Sequence, residues 1–324
     1  MSKAIRFLET GGPDVLRWET VEVGAPGPGE VVVEHGAVGL NYIDVYHRSG
    51  LYPLSLPSGL GLEAAGTVTA VGDAVSGLAV GDRVAYASMP LGAYAEERRI
   101  PADRAVRLPG SIDDQTAAAM MLKGLTAQYL LRSTYRVQPG ETVLFHAAAG
   151  GVGLLACQWA SHLGATVIGT VGSEEKAELA LAHGCDHVVM YGREDVAERV
   201  RDLTDGEGVA VVYDSVGRAT WEASLACLRR RGTMVSFGNA SGAVEPIAPL
   251  ELAAKGSLYL TRPTIFDYIG TRDDLVAAAD ELFAVVTSGA VRPRVRQTYA
   301  LADAAEAHRD LEARRNTGST VLLP

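Results

Sequence analysis

The sequence predicts an α/β chain in which a doubly wound parallel sheet is joined to a second, mostly antiparallel β-barrel unit. Three observations carry that reading. Up to about Leu108, β-branched runs follow one another with turns between them and no space for crossover helices. From about Asp113, strands and helices alternate, as a parallel sheet with right-handed crossovers requires. A glycine-rich turn closes the first strand of that alternating region.

In the first region Val31–Val38 is a β-branched strand, Gly66–Gly72 a second bounded by glycines, and Asp82–Tyr86 a third. Pro26-Gly27-Pro28-Gly29, Val71-Gly72-Asp73 and Val80-Gly81-Asp82 supply the turns. Asp113–Leu122 opens with acids and continues in good helix formers, which marks a helix. Thr142–His146 then reads as a buried strand, Val152–Leu163 as a helix and Thr166–Thr170 as a strand. Glu174–Ala182 is a helix and His187–Met190 a strand. Val209–Asp214 and Thr233–Phe237 are strands with a helix over about Thr220–Arg230 between them. Ser257–Leu260 follows, then helices at about Thr271–Ser288 and Leu301–Ala313. Ser319–Leu323 reads as a strand returning to the first unit. The expected division is 1–122 with 264–324 for the β unit, and 123–263 for the parallel-sheet domain.

Composition bounds the function. The chain has 324 residues, enough for about two domains, and its 48% hydrophobic and 21% charged content excludes general disorder and a coiled-coil fibre. A formal charge of −10 argues against a nucleic-acid partner, which needs clustered cations. Cys157, Cys185 and Cys227 stand far apart with no Cys-x-x-Cys, so a disulfide framework and a four-cysteine zinc site are excluded. No apolar run approaches the roughly 18 residues of a membrane span, and the first residues hold no apolar core of a secretory signal. A cytoplasmic protein is expected.

The strongest motif is Leu144-Phe145-His146-Ala147-Ala148-Ala149-Gly150-Gly151-Val152-Gly153. It follows a strand and opens a helix, the context in which small residues let the backbone approach a pyrophosphate while a helix N-terminus supplies free N–H donors. Such turns also serve close helix–strand packing. In a site for NAD the next strand ends in an acid that holds the ribose 2′-hydroxyl. Here it ends Gly169-Thr170-Val171-Gly172-Ser173-Glu174-Glu175-Lys176. Glycine and serine leave room for a 2′-phosphate, and Lys176 lies one helical turn on. Glu174 and Glu175 suit the helix dipole. NADPH is therefore the expected cofactor, although a solvated helix lysine is the ordinary reading of Lys176 alone. No trio of cysteine, histidine and carboxylate has catalytic-zinc spacing. The nearest approach, His183-Gly184-Cys185-Asp186-His187, falls on a helix end, a turn and a strand start. Without a Lewis acid, hydride transfer favours acceptors that are already electrophilic, such as quinones and conjugated enones.

At these residues the chain resembles the medium-chain dehydrogenase/reductase superfamily, in its zinc-free NADPH:quinone oxidoreductase (zeta-crystallin-like) branch. The resemblance spans the whole chain. It rests on Asn41-Tyr42-Ile43-Asp44-Val45-Tyr46, Arg48-Ser49-Gly50-Leu51-Tyr52-Pro53, Gly59 to Gly66, Lys123-Gly124-Leu125-Thr126-Ala127, the glycine turn, Ser236-Phe237-Gly238-Asn239 and Leu260-Thr261-Arg262-Pro263. It implies a GroES-like catalytic domain beside a Rossmann domain. Zinc-dependent relatives carry a cysteine near Asn41 and a histidine near Leu62, both lost here, and Tyr86–Ala95 lacks the cysteines of a structural zinc site.

By the same resemblance Ala149, Gly150, Gly151 and Val152 cradle the pyrophosphate. Ser173, Lys176, Tyr191 and Arg314 (or its neighbour Arg315) hold the 2′-phosphate, for which Gly172 leaves room. Ser215, Phe237 and Gly238 line the ribose path, with Thr126 and Tyr129 at the nicotinamide end. Asn41, Asp44, Tyr46, Tyr52 and Arg262 face the substrate in an interdomain cleft. Read without the resemblance, Asp44 is a turn residue, Tyr46 and Tyr52 are packing aromatics and Arg262 is an ion-pair partner. No residue stands out as a general acid. The expected activity is hydride or one-electron transfer from NADPH to a quinone. The alternatives are an enone or alkenal double-bond reductase and an NADPH-binding protein without turnover. A homodimer is expected, joined at the edge strand Ser257–Leu260.

Overall fold

The computed structural model describes residues 1–324 and divides them into two compact units: 1–125 with 271–283 and 293–324, and 126–270 with 284–292. In chain order the first unit opens with strands β1 (Ser2–Phe7), β2 (Arg17–Val21) and β3 (Glu30–Leu40), then helix α1 (Tyr42–Ser49). Strands β4 (Ser58–Gly59), β5 (Glu63–Val71), β6 (Arg83–Ala87), β7 (Glu97–Pro101) and β8 (Val106–Arg107) follow, and then helix α2 (Asp114–Tyr129). Strand and helix next alternate: β9 (Thr142–Phe145), α3 (Gly151–His162), β10 (Thr166–Val171), α4 (Glu174–Leu181), β11 (His187–Met190), α5 (Val196–Leu203), β12 (Val209–Asp214), α6 (Trp221–Cys227) and β13 (Leu228–Ser236). Helix α7 (Pro249–Ala254), strand β14 (Tyr259–Thr261) and helix α8 (Ile265–Tyr268) complete that stretch. Helix α9 (Arg272–Thr287), strand β15 (Val295–Ala300), helix α10 (Ala304–Glu312) and strand β16 (Ser319–Leu323) end the chain.

The second unit is a parallel six-stranded sheet in the order β11-β10-β9-β12-β13-β14. The order reverses at β9 and β12, so their carboxyl ends form the switch point where ligands bind in such sheets. β9 and β12 are buried and mostly apolar, as strands covered on both faces must be, and Leu144, Ile168, Val212, Trp221 and Met234 share one core.

The first unit has its own core around Phe7, Val33, Leu60, Val84 and Tyr94. Its strands form a mixed sheet, β15-β16-β3-β5-β6-β8 with β7 also on β3, and a small sheet β2-β1-β4. β16 joins β3 antiparallel, so the last strand does return to this unit. The expected barrel does not close. β15 and β8 end the path of the larger sheet, and β15 pairs parallel to β16.

Two further expectations change. The helix expected to run to Arg230 stops at Cys227, because Leu228 pairs with Val209 and opens β13 nine residues long. Long-range pairing there overrides local helix preference. Asp44 is in the first turn of a helix, not in a turn: α1 is capped by Asn41 and closed by Gly50 in the left-handed conformation at φ 84°.

Candidate functional site

The glycine turn begins where β9 ends. Ala147 adopts φ 54°, and the Ala148 N–H donates to the Thr170 carbonyl at 3.1 Å, tying the turn to β10. Gly150 precedes α3 in extended conformation without a side-chain cap, and the helix has no acid in its first turn. The first-turn N–H donors of α3 therefore lack both a cap and a neighbouring negative charge. A Cβ at position 153 would run into the Ala147 carbonyl oxygen, so only glycine lets α3 lie this close to the turn. These features fit a pyrophosphate.

β10 ends without an acid. Ser173 caps α4 through a bond from the Lys176 N–H to its Oγ at 3.3 Å, and Lys176 is partly buried. A Cβ at 172 would meet the Tyr191 hydroxyl, so Gly172 lets the Tyr191 side chain lie against the end of β10. Glu174 is held by Arg193 at 2.7 Å. Arg314, expected on the 2′-phosphate, belongs to the first unit and is exposed at φ 57°, while Arg315 is paired with Asp310.

Beneath the turn lies a buried polar network that sequence reasoning did not single out. Asp214 ends β12 and accepts four hydrogen bonds: at Oδ1 from the Val216 and Gly217 N–H groups (2.7 and 3.0 Å), at Oδ2 from the Thr220 and Ser224 hydroxyls (2.7 Å each). With its proton committed to Asp214, the Ser224 hydroxyl accepts from His146 Nε2 at 3.0 Å, and His146 Nδ1 accepts from Thr170 Oγ1 at 2.9 Å. Burial lowers the His146 pKa and favours the neutral ring this tautomer needs. The network ties together the ends of β9, β10 and β12. Its signal in the sequence was a polar residue closing an apolar strand, in Phe145-His146 and Tyr213-Asp214. Serine, histidine and aspartate meet here, but all three are buried and the serine proton goes to the carboxylate, so they form a scaffold and not a nucleophile.

Next to it, Gly238 packs on Ser215 so closely that a Cβ would strike the Ser215 carbonyl oxygen, and Phe237 lies 5.8 Å from the Phe145 ring. Tyr129 is buried and stacks on Tyr268 with centroids 4.5 Å apart, while Thr126 is partly buried. Arg262 lies in this second unit, where its NH1 donates to the Ser236 carbonyl at 3.0 Å.

The other substrate candidates gather around α1 in the first unit. Tyr46 is buried, its ring 5.4 Å from Tyr42 and 5.1 Å from Tyr52, and His47 meets Tyr52 edge-on at 5.8 Å. Asn41 is buried between two carboxylates: its backbone N–H donates to Asp44 Oδ2 at 2.9 Å and its Nδ2 to Glu63 Oε2 at 2.7 Å. Glu63, fully buried, also accepts from the Leu122 N–H at 2.7 Å and pairs with buried Lys123 at 3.2 Å. The Asn41 Nδ2 is committed to Glu63, which fixes the orientation of the amide. The buried Glu63–Lys123 pair was not singled out from the sequence; its signal was a lone charge inside an apolar segment, in Leu62-Glu63-Ala64 and Leu122-Lys123-Gly124.

No group of three or more His, Cys, Asp or Glu side chains is arranged to hold a metal ion. In the zinc lookalike, His183 Nδ1 donates to the Leu179 carbonyl at 2.7 Å and Asp186 accepts from the Val167 N–H at 2.8 Å, so both are spent on local structure.

Residues 27–139 match the family of alcohol dehydrogenase GroES-like domains and residues 151–284 the family of zinc-binding dehydrogenases. A quinone oxidoreductase of Pseudomonas aeruginosa is 57% identical over 325 residues, covering 100% of both chains. A crystal structure of the Escherichia coli quinone oxidoreductase complexed with NADPH superposes with a TM-score of 0.98 at 53% identity, covering 99% of this chain and 100% of the other. A mycobacterial protein complexed with NADPH gives 0.96 at 50% identity, with 100% of each chain covered.

Proposed function

The chain belongs to the quinone oxidoreductase branch of the medium-chain dehydrogenase/reductase superfamily, and from that premise we propose how its residues serve the reaction. It is an NADPH-dependent quinone reductase. The observation that carries the cofactor choice is the end of β10, where Gly172 and Ser173 stand in place of an acid.

Bound NADPH supplies the hydride. The first turn of α3, with Ala149, Gly150, Gly151 and Val152, binds the pyrophosphate. Ser173, Lys176 and Tyr191 hold the 2′-phosphate, with Arg314 as a further cation. Ser215, Phe237 and Gly238 line the ribose path, and Thr126 and Tyr129 flank the nicotinamide. The His146–Asp214–Ser224 network fixes the strand ends on which these residues stand. On the quinone side, Tyr46 and Tyr52 offer aromatic faces and Asn41 and Asp44 the polar floor.

The reduction is proposed to run without zinc, since the cysteine and histidine that zinc-dependent relatives carry near Asn41 and Leu62 are lost here. No helix is long and apolar enough to cross a membrane, and a cytoplasmic location is part of the same reading. Strand β14, at the edge of the second unit's sheet with Tyr259 exposed, is proposed to pair with its copy in a homodimer. Stopped-flow oxidation of NADPH by 1,4-naphthoquinone and by an α,β-unsaturated aldehyde tests the activity. The quinone is expected to react faster, and a clear preference for the aldehyde would overturn the assignment.

A further inference from the structure

Within the first unit a line of buried polar side chains leads from α10 to the first turn of α1. Arg48 donates to both oxygens of Glu312 at 2.8 and 2.9 Å, to the Gly11 carbonyl at 3.1 Å and to His308 Nδ1 at 3.3 Å. A guanidinium only donates, so Nδ1 accepts and the imidazole proton sits on Nε2. Nε2 lies 3.2 Å from the Tyr94 oxygen, which therefore accepts, and the one Tyr94 proton goes to Asp44 Oδ2 at 2.9 Å. Every bond points the same way. The Asn41 N–H donates to the same Oδ2, while Oδ1 is buried and has no partner. Fastening α10 to α1 needs only Arg48 and Glu312. The extension through His308 and Tyr94 ends on the carboxylate that holds Asn41, so packing alone does not account for it.

We propose that Tyr94 and His308 are positioning residues for quinone binding: acting through Asp44 they lock Asn41 and the first turn of α1, and the lock weakens when Oδ1 takes up a proton. The proposal rests on the reading of Asn41 as a quinone-side residue. Ionised Asp44 accepts two charge-assisted hydrogen bonds, which are shorter and stronger than those to the protonated acid. Around it, the Asn41 N–H, the Tyr94 hydroxyl and the Lys123 ammonium favour the charge, and Glu63 opposes it. Charged Arg48 and neutral His308 stand behind Tyr94. Burial outweighs the favourable groups and pushes Asp44 up to about 7, so the lock changes state near neutral pH.

The test is the KM for 1,4-naphthoquinone at saturating NADPH between pH 6 and 8.5, beside the Kd for NADPH. The wild-type KM is expected to fall several-fold as pH rises through about 7, with no matching change in the NADPH Kd. Asp44→Asn, whose amide imitates the protonated acid, should keep the low-pH KM throughout. Tyr94→Phe and His308→Leu should move the midpoint to higher pH, and His308→Gln, which retains a donor and an acceptor, should restore it. A wild-type KM that is flat with pH overturns the proposal. So does a Tyr94→Phe protein that melts earlier with its midpoint unmoved. Asn41→Ala separates the two levels: a raised KM beside a flat wild-type profile sinks only the lock, whereas an unchanged KM sinks the reading of Asn41 and the lock with it.

Discussion

At Ser173 a single hydroxyl stands where an acid would select the other nicotinamide cofactor. Ser173→Asp puts a negative charge against the proposed 2′-phosphate and a hydroxyl acceptor against the NADH ribose. The ratio of kcat/KM for NADPH to that for NADH should drop roughly 10- to 100-fold, about 1.4–2.8 kcal/mol. An unchanged ratio would remove Ser173 from cofactor selection. The capping role should survive, because aspartate is as good an N-cap as serine, so a loss of folding is not expected. The strand end before Gly172 and the helix cap at Ser173 could be read from the sequence because both signals are local. Glu63, Lys123, Tyr94 and His308 could not. Each gains its role from a partner at least 50 residues away, and no spacing rule announces a buried ion pair such as Glu63–Lys123.

The six strands of the second unit were mostly plain in the sequence, β11 and β12 to the residue, because short, mostly apolar runs bounded by turn residues mark strands. The boundary of α6 with β13 was not, since Leu228 is drawn into the sheet by Val209 on a strand 19 residues earlier in the chain. Barrel closure was also beyond reach: it depends on which strands meet at the ends of the path, and strand spacing is silent on that. β14 is where the sheet ends, with Tyr259 and Leu260 exposed beside it. An uncovered edge of that kind is a template for pairing, and a second copy related by a two-fold axis would cover it symmetrically. Tyr259→Pro removes a backbone donor and Leu260→Lys adds a charge to the proposed seam. Each should shift the solution mass, measured by light scattering, from dimer to monomer. Persistence of the dimer in both variants would place the interface elsewhere.

Three buried titratable groups of the first unit give the fold a definite response to acid. Burial lowers His35 to about 4 and His308 to about 3, against an ordinary value of 6.5. In the unfolded chain both imidazoles charge near 6.5, but in the fold they stay neutral until far lower pH. Their stabilisation is therefore complete above 6.5 and is lost as pH falls toward 4, at about 1.4 kcal/mol per unit for each ring. Asp44 acts with the opposite sign. Its folded pKa of about 7 lies above the ordinary 3.8, so between those values the fold binds a proton that the unfolded chain has released. Acidification from 6.5 to 4.5 thus strengthens the fold at Asp44 while weakening it at both histidines, and the balance is a net loss of about 2 kcal/mol. Asp44→Asn deletes the compensating group, so its loss over the same range should approach about 4.5 kcal/mol. Hydrogen exchange of the β3 and β5 amides, corrected for intrinsic rates, reads this directly. Protection that is flat from pH 6.5 to 4.5, or an Asp44→Asn protein no steeper than wild type, would mean that these groups are not held in the protonation states their burial and partners dictate.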